Sequence, residues 1–235
     1  MNQSKKAAGE KAVDYIKSGM TVGLGSGSTV YYMLQKLGRQ VRQGLDIKGV
    51  STSTQTSAWA KEFGIPLTDL TDGVEIDIAI DGADEIDPEC RLIKGGGGCL
   101  VREKIVGFYA KRFIVIAGSS KMVDKLGSFP LPVEILPFGH EITAGYIQAL
   151  GAKTSLRRQG NGQPFISDNG NYIYDCDFGL LENPHDLNRS LHGVVGVVET
   201  GLFLDMAHIV IIGEGRDTKV MKTVKSDHST KSCKR

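Results

Sequence analysis

The stretch TVGLGSGSTVYYMLQKL, residues 21–37, decides the fold. Thr21–Leu24 is a short apolar run that reads as a buried strand, and Ser28–Leu37 restarts as a helix. Between them stands Gly25-Ser26-Gly27, so a strand enters a helix through glycine and serine. Backbone N–H groups at such a helix start, with hydroxyls beside them, make a site for a phosphate. Ser26, Gly27, Ser28 and Thr29 are therefore candidate anion ligands. A dinucleotide fingerprint needs glycine where Ser28 stands and an acid closing the next strand, where Val50-Ser51-Thr52 occurs instead. A Walker A loop fails for want of a lysine before Ser28 or Thr29.

Outward from this unit the same alternation continues. Ala8, Ala12, Val13 and Ile16 recur at helical spacing within Ser4–Ser18, with Gly19 as C-cap. Strands are expected at Ile47–Val50, Ile76–Ile80, Phe113–Ala117 and His208–Ile212, and helices at Thr54–Phe63 and Cys99–Lys111. Alternating strands and helices imply right-handed crossovers and a parallel sheet covered on both faces. Ligands in such sheets bind beyond the carboxyl ends of the strands. The Ser51–Thr54 hydroxyls are expected at the same crevice as the first loop. From 131 to 206 the order becomes strand–helix–strand–strand–helix–strand: Val133–Leu136, Glu141–Leu150, Thr154–Arg157, Asn171–Cys176, a helix from Asn183-Pro184 to Leu191, and Val194–Glu199. That is the order of a ferredoxin-like unit. The fold class is thus α/β, a Rossmann-like parallel-sheet domain (1–130 and 207–225) with an inserted α+β domain (131–206) and a disordered tail (226–235).

Net charge is +1, with 28 basic against 27 acidic residues in 235, so no overall field attracts nucleic acid or membrane. No apolar run approaches the ~20 residues of a membrane span, and the N-terminus lacks a signal-peptide core. Cys90, Cys99, Cys176 and Cys233 show no metal spacing, which suits reduced thiols in the cytoplasm. The basic tail from Lys222 to Arg235 reads as a solvated terminus.

Three further clusters follow strand ends. Asp81, Asp84, Glu85 and Asp87 put four acids in seven residues. Their spacing excludes an EF-hand loop but leaves a solvated turn, a Mg²⁺ site on Asp81 and Asp84, or a set of sugar-hydroxyl ligands. Lys94 precedes four glycines, Gly95–Gly98, and then a helix whose first turn holds Arg102 and Glu103. Consecutive glycines carry an entropic cost that close approach to a ligand explains. Glu103 alone would be a first-turn acid serving the helix dipole; beside Lys94 it is a credible base. Lys121, after Gly118-Ser119-Ser120, adds a cation.

The runs GLGSGST (23–29), DGADE (81–85), KGGGG (94–98), REK (102–104) and FPLPVE (129–134) together resemble type A ribose-5-phosphate isomerase, in order from Lys6 to Lys222. The resemblance implies interconversion of ribose 5-phosphate and ribulose 5-phosphate in the pentose phosphate pathway, with no metal or organic cofactor. It implies a homodimer or homotetramer whose partner is a small sugar phosphate. It places the phosphate motif on Ser26, Gly27, Ser28 and Thr29, the acidic motif on Asp81, Gly82, Ala83 and Asp84, and the lysine-glycine motif on Lys94, Gly95, Gly96 and Gly97. Glu103 matches the catalytic base and Lys121 a substrate-binding lysine. Ser26 departs from a common threonine, and Ser119-Ser120 from an acid often found before that lysine. In the implied chemistry Lys94 is the electrophile, Asp81 assists ring opening and Asp84 orients hydroxyls. A helix start and nearby lysines are expected to favour ionised Glu103. The alternatives are a non-catalytic sugar-phosphate sensor on the same scaffold and, third, a nicotinamide dehydrogenase.

Overall fold

Period-two alternation along the apolar strands generates the core of the molecule. In the strand Phe113–Gly118, Ile114 and Ile116 face one packed layer while Phe113, Val115 and Ala117 face another. A strand buried on both faces belongs inside a sheet covered on both sides. The computed structural model describes residues 2–223; the expected tail, 226–235, lies outside them. In chain order the elements of the large sheet and its helices are α1 (Asn2–Ala12), β1 (Thr21–Leu24), α2 (Ser28–Arg42), β2 (Lys48–Ser51), α3 (Thr54–Glu62) and β3 (Ile78–Asp81). Two short strands follow, β4 (Glu85–Ile86) and β5 (Leu92–Ile93), then α4 (Leu100–Tyr109) and β6 (Phe113–Gly118).

Next come β7 (Leu131–Ile135), α5 (His140–Ala149), β8 (Lys153–Leu156), β9 (Tyr172–Asp177), α6 (Pro184–His192) and β10 (Val197–Thr200). The described chain finishes with β11 (Leu202–Phe203), β12 (Ile209–Glu214) and β13 (Asp217–Lys222). The main sheet has the order β13-β12-β6-β3-β1-β2. Its inner ladders are parallel, but β13 runs antiparallel to β12. The parallel sheet expected from sequence is thus present, with one antiparallel strand added at its edge. β13 escapes the sequence reading because it is an exposed edge rich in polar residues, with no apolar run to mark it.

The antiparallel sheet β10-β7-β9-β8, with α5 and α6 in its connections, has the ferredoxin-like order and its own apolar core. A third sheet, β11-β5-β4, is built from two-residue strands, too short for any period to appear in sequence. Boundaries shift elsewhere. α1 ends at Ala12 and tightens into a 3₁₀ turn at Val13–Tyr15, so Gly19 sits beyond the helix instead of capping it. α2 runs on through Gly38 to Arg42, because that glycine lets the carbonyl of Phe63 approach the helix closely. Val194–Gly196 form the turn before β10. Among the described residues no helix is long and apolar enough to cross a membrane.

Candidate active site

The strand order reverses between β1 and β3, which lie side by side while β2 extends one way and β6 and β12 the other. A crevice opens at such a switch point, beyond the carboxyl ends of the strands. Here a cavity of about 420 Å³ is lined by the residues following β1, β3, β5 and β6 and by the start of α1. Glu103 reaches it from α4, where it shares the buried stripe with Leu100, Val106 and Gly107. A carboxylate on the apolar stripe of a helix is out of place unless it has work to do.

At one end of the cavity, Gly27 caps α2 with φ 95° and supplies no side chain to its first-turn amides. Those N–H groups carry the positive end of the helix dipole toward Ser28 and Thr29. Lys5 Nζ donates to Ser28 Oγ at 2.9 Å, and Lys121 lines the same cavity. An uncapped helix start with two ammonium groups suits a dianion. Sequence reading missed Lys5. Its signal was present: Lys5 sits at helical spacing from Ala8 and Ala12, a charge in line with a buried stripe.

Ser26 lines the cavity with Gly27, Ser28 and Thr29, but its own polar groups are engaged by neighbouring residues. Its N–H donates to Asp81 Oδ1 at 2.9 Å, and its hydroxyl joins Thr52 Oγ1 at 2.8 Å and Ser53 Oγ at 2.9 Å. The Ser51–Thr54 run was expected to face the crevice; instead, none of its members lines the cavity, and its hydroxyls bond to Ser26, Thr56, Ser57 and Asp168. A Cβ on Gly25 would lie 2.2 Å from Asp81 Cγ, so only glycine lets β1 and β3 close up there.

At the other end lies a charge cluster. Asp81, Lys94 and Glu103 are each at most 5% exposed. Lys94 Nζ donates to the Gly82 carbonyl at 2.7 Å and lies 3.1 Å from Asp81 Oδ2 and 3.2 Å from Glu103 Oε2. These two carboxylate oxygens are ion-paired with Lys94 but have no aligned hydrogen-bond donor. Two carboxylates thus share one ammonium in a buried site, an arrangement that would carry one negative charge in excess with both ionised. Burial and then the Asp81 carboxylate push Glu103 up to about 8, against the opposing pull of Lys94. The expectation of a readily ionised Glu103 is corrected: desolvation outweighs the helix start. Burial also raises Asp81, with Lys94 and the two backbone donors opposing. For Lys94, burial works against the charge, but Asp81, Glu103 and Asp84 prevail and hold it protonated. The Cys99 thiol is pushed up to about 11 by burial and Glu103, which holds it in the less reactive thiol form near neutral pH.

Gly82, Ala83, Asp84, Gly95 and Gly97 line the cavity with Lys94 and Glu103, whereas Gly96 and Asp81 do not. Gly96 instead donates its N–H to Asp84 Oδ2 at 2.7 Å, tying the glycine loop to the acidic one. Asp81 lies beneath Lys94. Glu85 and Asp87 belong to the framework: Glu85 accepts the N–H groups of Gly127 and Phe129, and Asp87 pairs with Arg91. Asp81 Oδ1 is taken up by the Ser26 and Gly82 amides and Oδ2 faces Lys94, so the acidic loop does not gather its oxygens around one centre. Among the described residues no group of three or more His, Cys, Asp or Glu side chains is arranged to hold a metal ion.

Comparison with known proteins bears on this arrangement. Residues 48–217 match the family model described as ribose 5-phosphate isomerase A (phosphoriboisomerase A). Ribose-5-phosphate isomerase A 1 of Oceanobacillus iheyensis is 53% identical over 211 residues, covering 89% of this chain and 94% of its own. The structure of ribose 5-phosphate isomerase from Plasmodium falciparum superposes with a TM-score of 0.91 at 36% identity, covering 96% of this chain and all of that one. A D-ribose-5-phosphate isomerase in complex with phospho-erythronic acid gives a TM-score of 0.89 at 39% identity, covering 93% of this chain and 97% of that one.

Proposed function

Because the chain belongs to the ribose 5-phosphate isomerase A family, we propose that it interconverts D-ribose 5-phosphate and D-ribulose 5-phosphate through an enediolate, without a bound cofactor, in the pentose phosphate pathway. The observation that carries this reading is the Lys94 ammonium held beside Glu103 on a cavity whose far end is an uncapped helix start flanked by Lys5 and Lys121. A sensor needs the second feature alone; an isomerase needs both. That a related isomerase has been solved with phospho-erythronic acid supports a phosphorylated sugar as the occupant.

Glu103 takes the proton from C2 of the open-chain aldose, and charge builds on O1 as C1–O1 loses its carbonyl character. Lys94 stabilises that oxygen. The O2 hydroxyl gives up its proton to O1 as C2–O2 becomes the carbonyl, and Glu103 returns the first proton to C1. A base whose pKa lies near neutrality suits both halves of this transfer, since it must accept and release the same proton. Asp81 assists ring opening from beneath the cavity, through the ammonium it shares with Glu103. Asp84, fixed by Gly96, orients sugar hydroxyls beside Gly82, Ala83, Gly95 and Gly97. The phosphate, held by Gly27, Ser28, Thr29, Lys5 and Lys121, supplies binding energy remote from the reacting carbons.

The reading carries a cytoplasmic setting with it, since a phosphorylated pentose does not cross a membrane unaided. It also includes a homodimer or homotetramer, supported by exposed apolar side chains on α4 (Phe108, Tyr109), on α5 (Ile142, Tyr146) and in the turn before α5 (Phe138). The deciding experiment is a coupled assay on ribose 5-phosphate, with and without chelator, for wild type and Glu103→Gln. Wild-type turnover is expected to survive chelation. Glu103→Gln is expected to bind substrate but to exchange no C2 proton with solvent. Turnover by that variant at the wild-type rate removes Glu103 from its role, and loss restored only by Mg²⁺ overturns the metal-free reading.

A further inference from the structure

Phe203 is fully buried on β11, the strand that pairs with β5 just before Lys94. The register sets Phe203 opposite Leu92 and Leu202 opposite Ile93, and the Lys94 N–H donates to the Gly201 carbonyl at 2.9 Å. The side chain of Lys94 comes to the same strand: its Nζ lies 5.3 Å from the centroid of the Phe203 ring. A second ammonium, that of Lys104, lies 4.8 Å from the same centroid. Lys104 follows Glu103 in α4, and its Nζ is held independently by Glu199 Oε1 and the Thr200 carbonyl, both at 2.7 Å.

The Lys94 ammonium therefore has Gly82, Asp81 and Glu103 around it and an aromatic ring beyond. The ring differs from the other partners in kind. A carboxylate holds an ammonium by cancelling its charge, which is the charge the enediolate oxygen requires. A π-face attracts the cation through its quadrupole and leaves the charge in place, most effectively in a site without water. An aliphatic side chain of similar size would fill the space but leave the ammonium to the carboxylates and one carbonyl.

We propose that Phe203 is a positioning residue for the isomerisation, its ring holding the Lys94 ammonium at the cavity without neutralising it. This rests on Lys94 acting as the electrophile. The test replaces Phe203 with 4-fluoro-, 3,5-difluoro- and 3,4,5-trifluorophenylalanine, which drain the ring of negative potential with little change in shape. With ribose 5-phosphate as substrate, kcat is expected to fall stepwise along the series, by about tenfold in all. KM and the melting temperature hardly move. Phe203→Leu is expected to behave like the trifluoro variant. Lys104→Met takes the second ammonium off the ring and is expected to leave the slope in place; a slope it abolishes belongs to Lys104 and overturns the proposal. Lys94→Met separates the premise from the inference. If it is inactive while the fluorinated series is flat, Phe203 is packing alone and the proposal fails. If it turns over like wild type, the reading of Lys94 itself fails.

Discussion

Glu103 is held by opposing forces whose outcome sets the pH behaviour of the site. Burial and Asp81 raise it to about 8, Lys94 resists, and Asp84 adds a weaker upward push. Since the base must be ionised to accept a proton, kcat/KM for ribose 5-phosphate is expected to rise with pH and level off above about 8. The same shift has a consequence for stability. The folded state retains on Glu103 a proton that the unfolded chain releases near its ordinary value of 4.5, so this group's contribution declines as pH climbs from there to about 8. Glu103→Gln removes the decline. Thermal melts should find the variant more stable than wild type at pH 9, with the gap narrowing toward pH 5; an equal gap at both ends contradicts the raised value. Lys5→Met tests the other end of the cavity: loss of a charge-assisted contact is expected to raise KM about tenfold with kcat little changed. Motifs made Glu103, Lys94 and the phosphate loop legible in the sequence, because the loop and Lys94 follow strand ends in distinctive runs and Glu103 stands in the first turn of the helix after the glycines. Lys5 has no such run, and a pKa set by burial is invisible until the residues around it are known.

At the scale of the element, the chain between β8 and β9 acts as a strap from the four-stranded unit onto the cavity. Arg157 donates to the carbonyl of Gly95 at 2.8 Å while pairing with Asp175. Asp168 accepts the N–H of Thr54 at 2.8 Å, and Arg102 donates to the Asp168 carbonyl at 2.7 Å. The strap is anchored from beneath by buried Glu134, whose Oε1 accepts from Ser167 at 2.8 Å, Asn171 at 2.9 Å and Asn169 at 3.1 Å. Glu134→Ala strands these donors and is expected to cost about 3 kcal/mol in chemical denaturation. Glu134→Gln keeps one accepting oxygen and should cost much less. A sequence reading finds the flanking strands and sees only polar loop between them, since Arg157, Asp168 and Glu134 meet through tertiary contacts alone. The two-residue strands β4, β5 and β11 escape for a related reason: their existence depends on pairing with one another, not on local pattern.

At the scale of the whole molecule, the alternation of apolar runs and helices was enough to anticipate the large sheet, and the order of elements from β7 to β10 anticipated the second. The antiparallel edge β13 was not foreseen, because its two apolar residues, Val220 and Met221, are adjacent and flanked by polar ones, so no apolar run or alternation marks it. The exposed apolar faces of α4 and α5 carry the oligomeric reading, and analytical ultracentrifugation checks it. Wild type is expected to sediment as a dimer or tetramer, and Ile142→Asp with Tyr146→Asp to yield a smaller species with unchanged circular dichroism. A monomeric wild type at micromolar concentration would discard that reading.

One contact joins the two ends of the described chain. Ser4 lies so near β12 that a Cβ on Gly213 would sit 1.9 Å from its carbonyl oxygen, and Ser4 Oγ accepts from the N–H of Gly215 at 3.0 Å. Lys5, one residue away, is therefore seated through β12, by a contact that spans 211 residues of sequence. Both ends of the cavity thus wait on late contacts, Lys94 on Gly201 and the Phe203 ring and Lys5 on β12. A chain made only as far as β10 lacks both supports, so the pocket is expected to be completed only once residue 215 has been made.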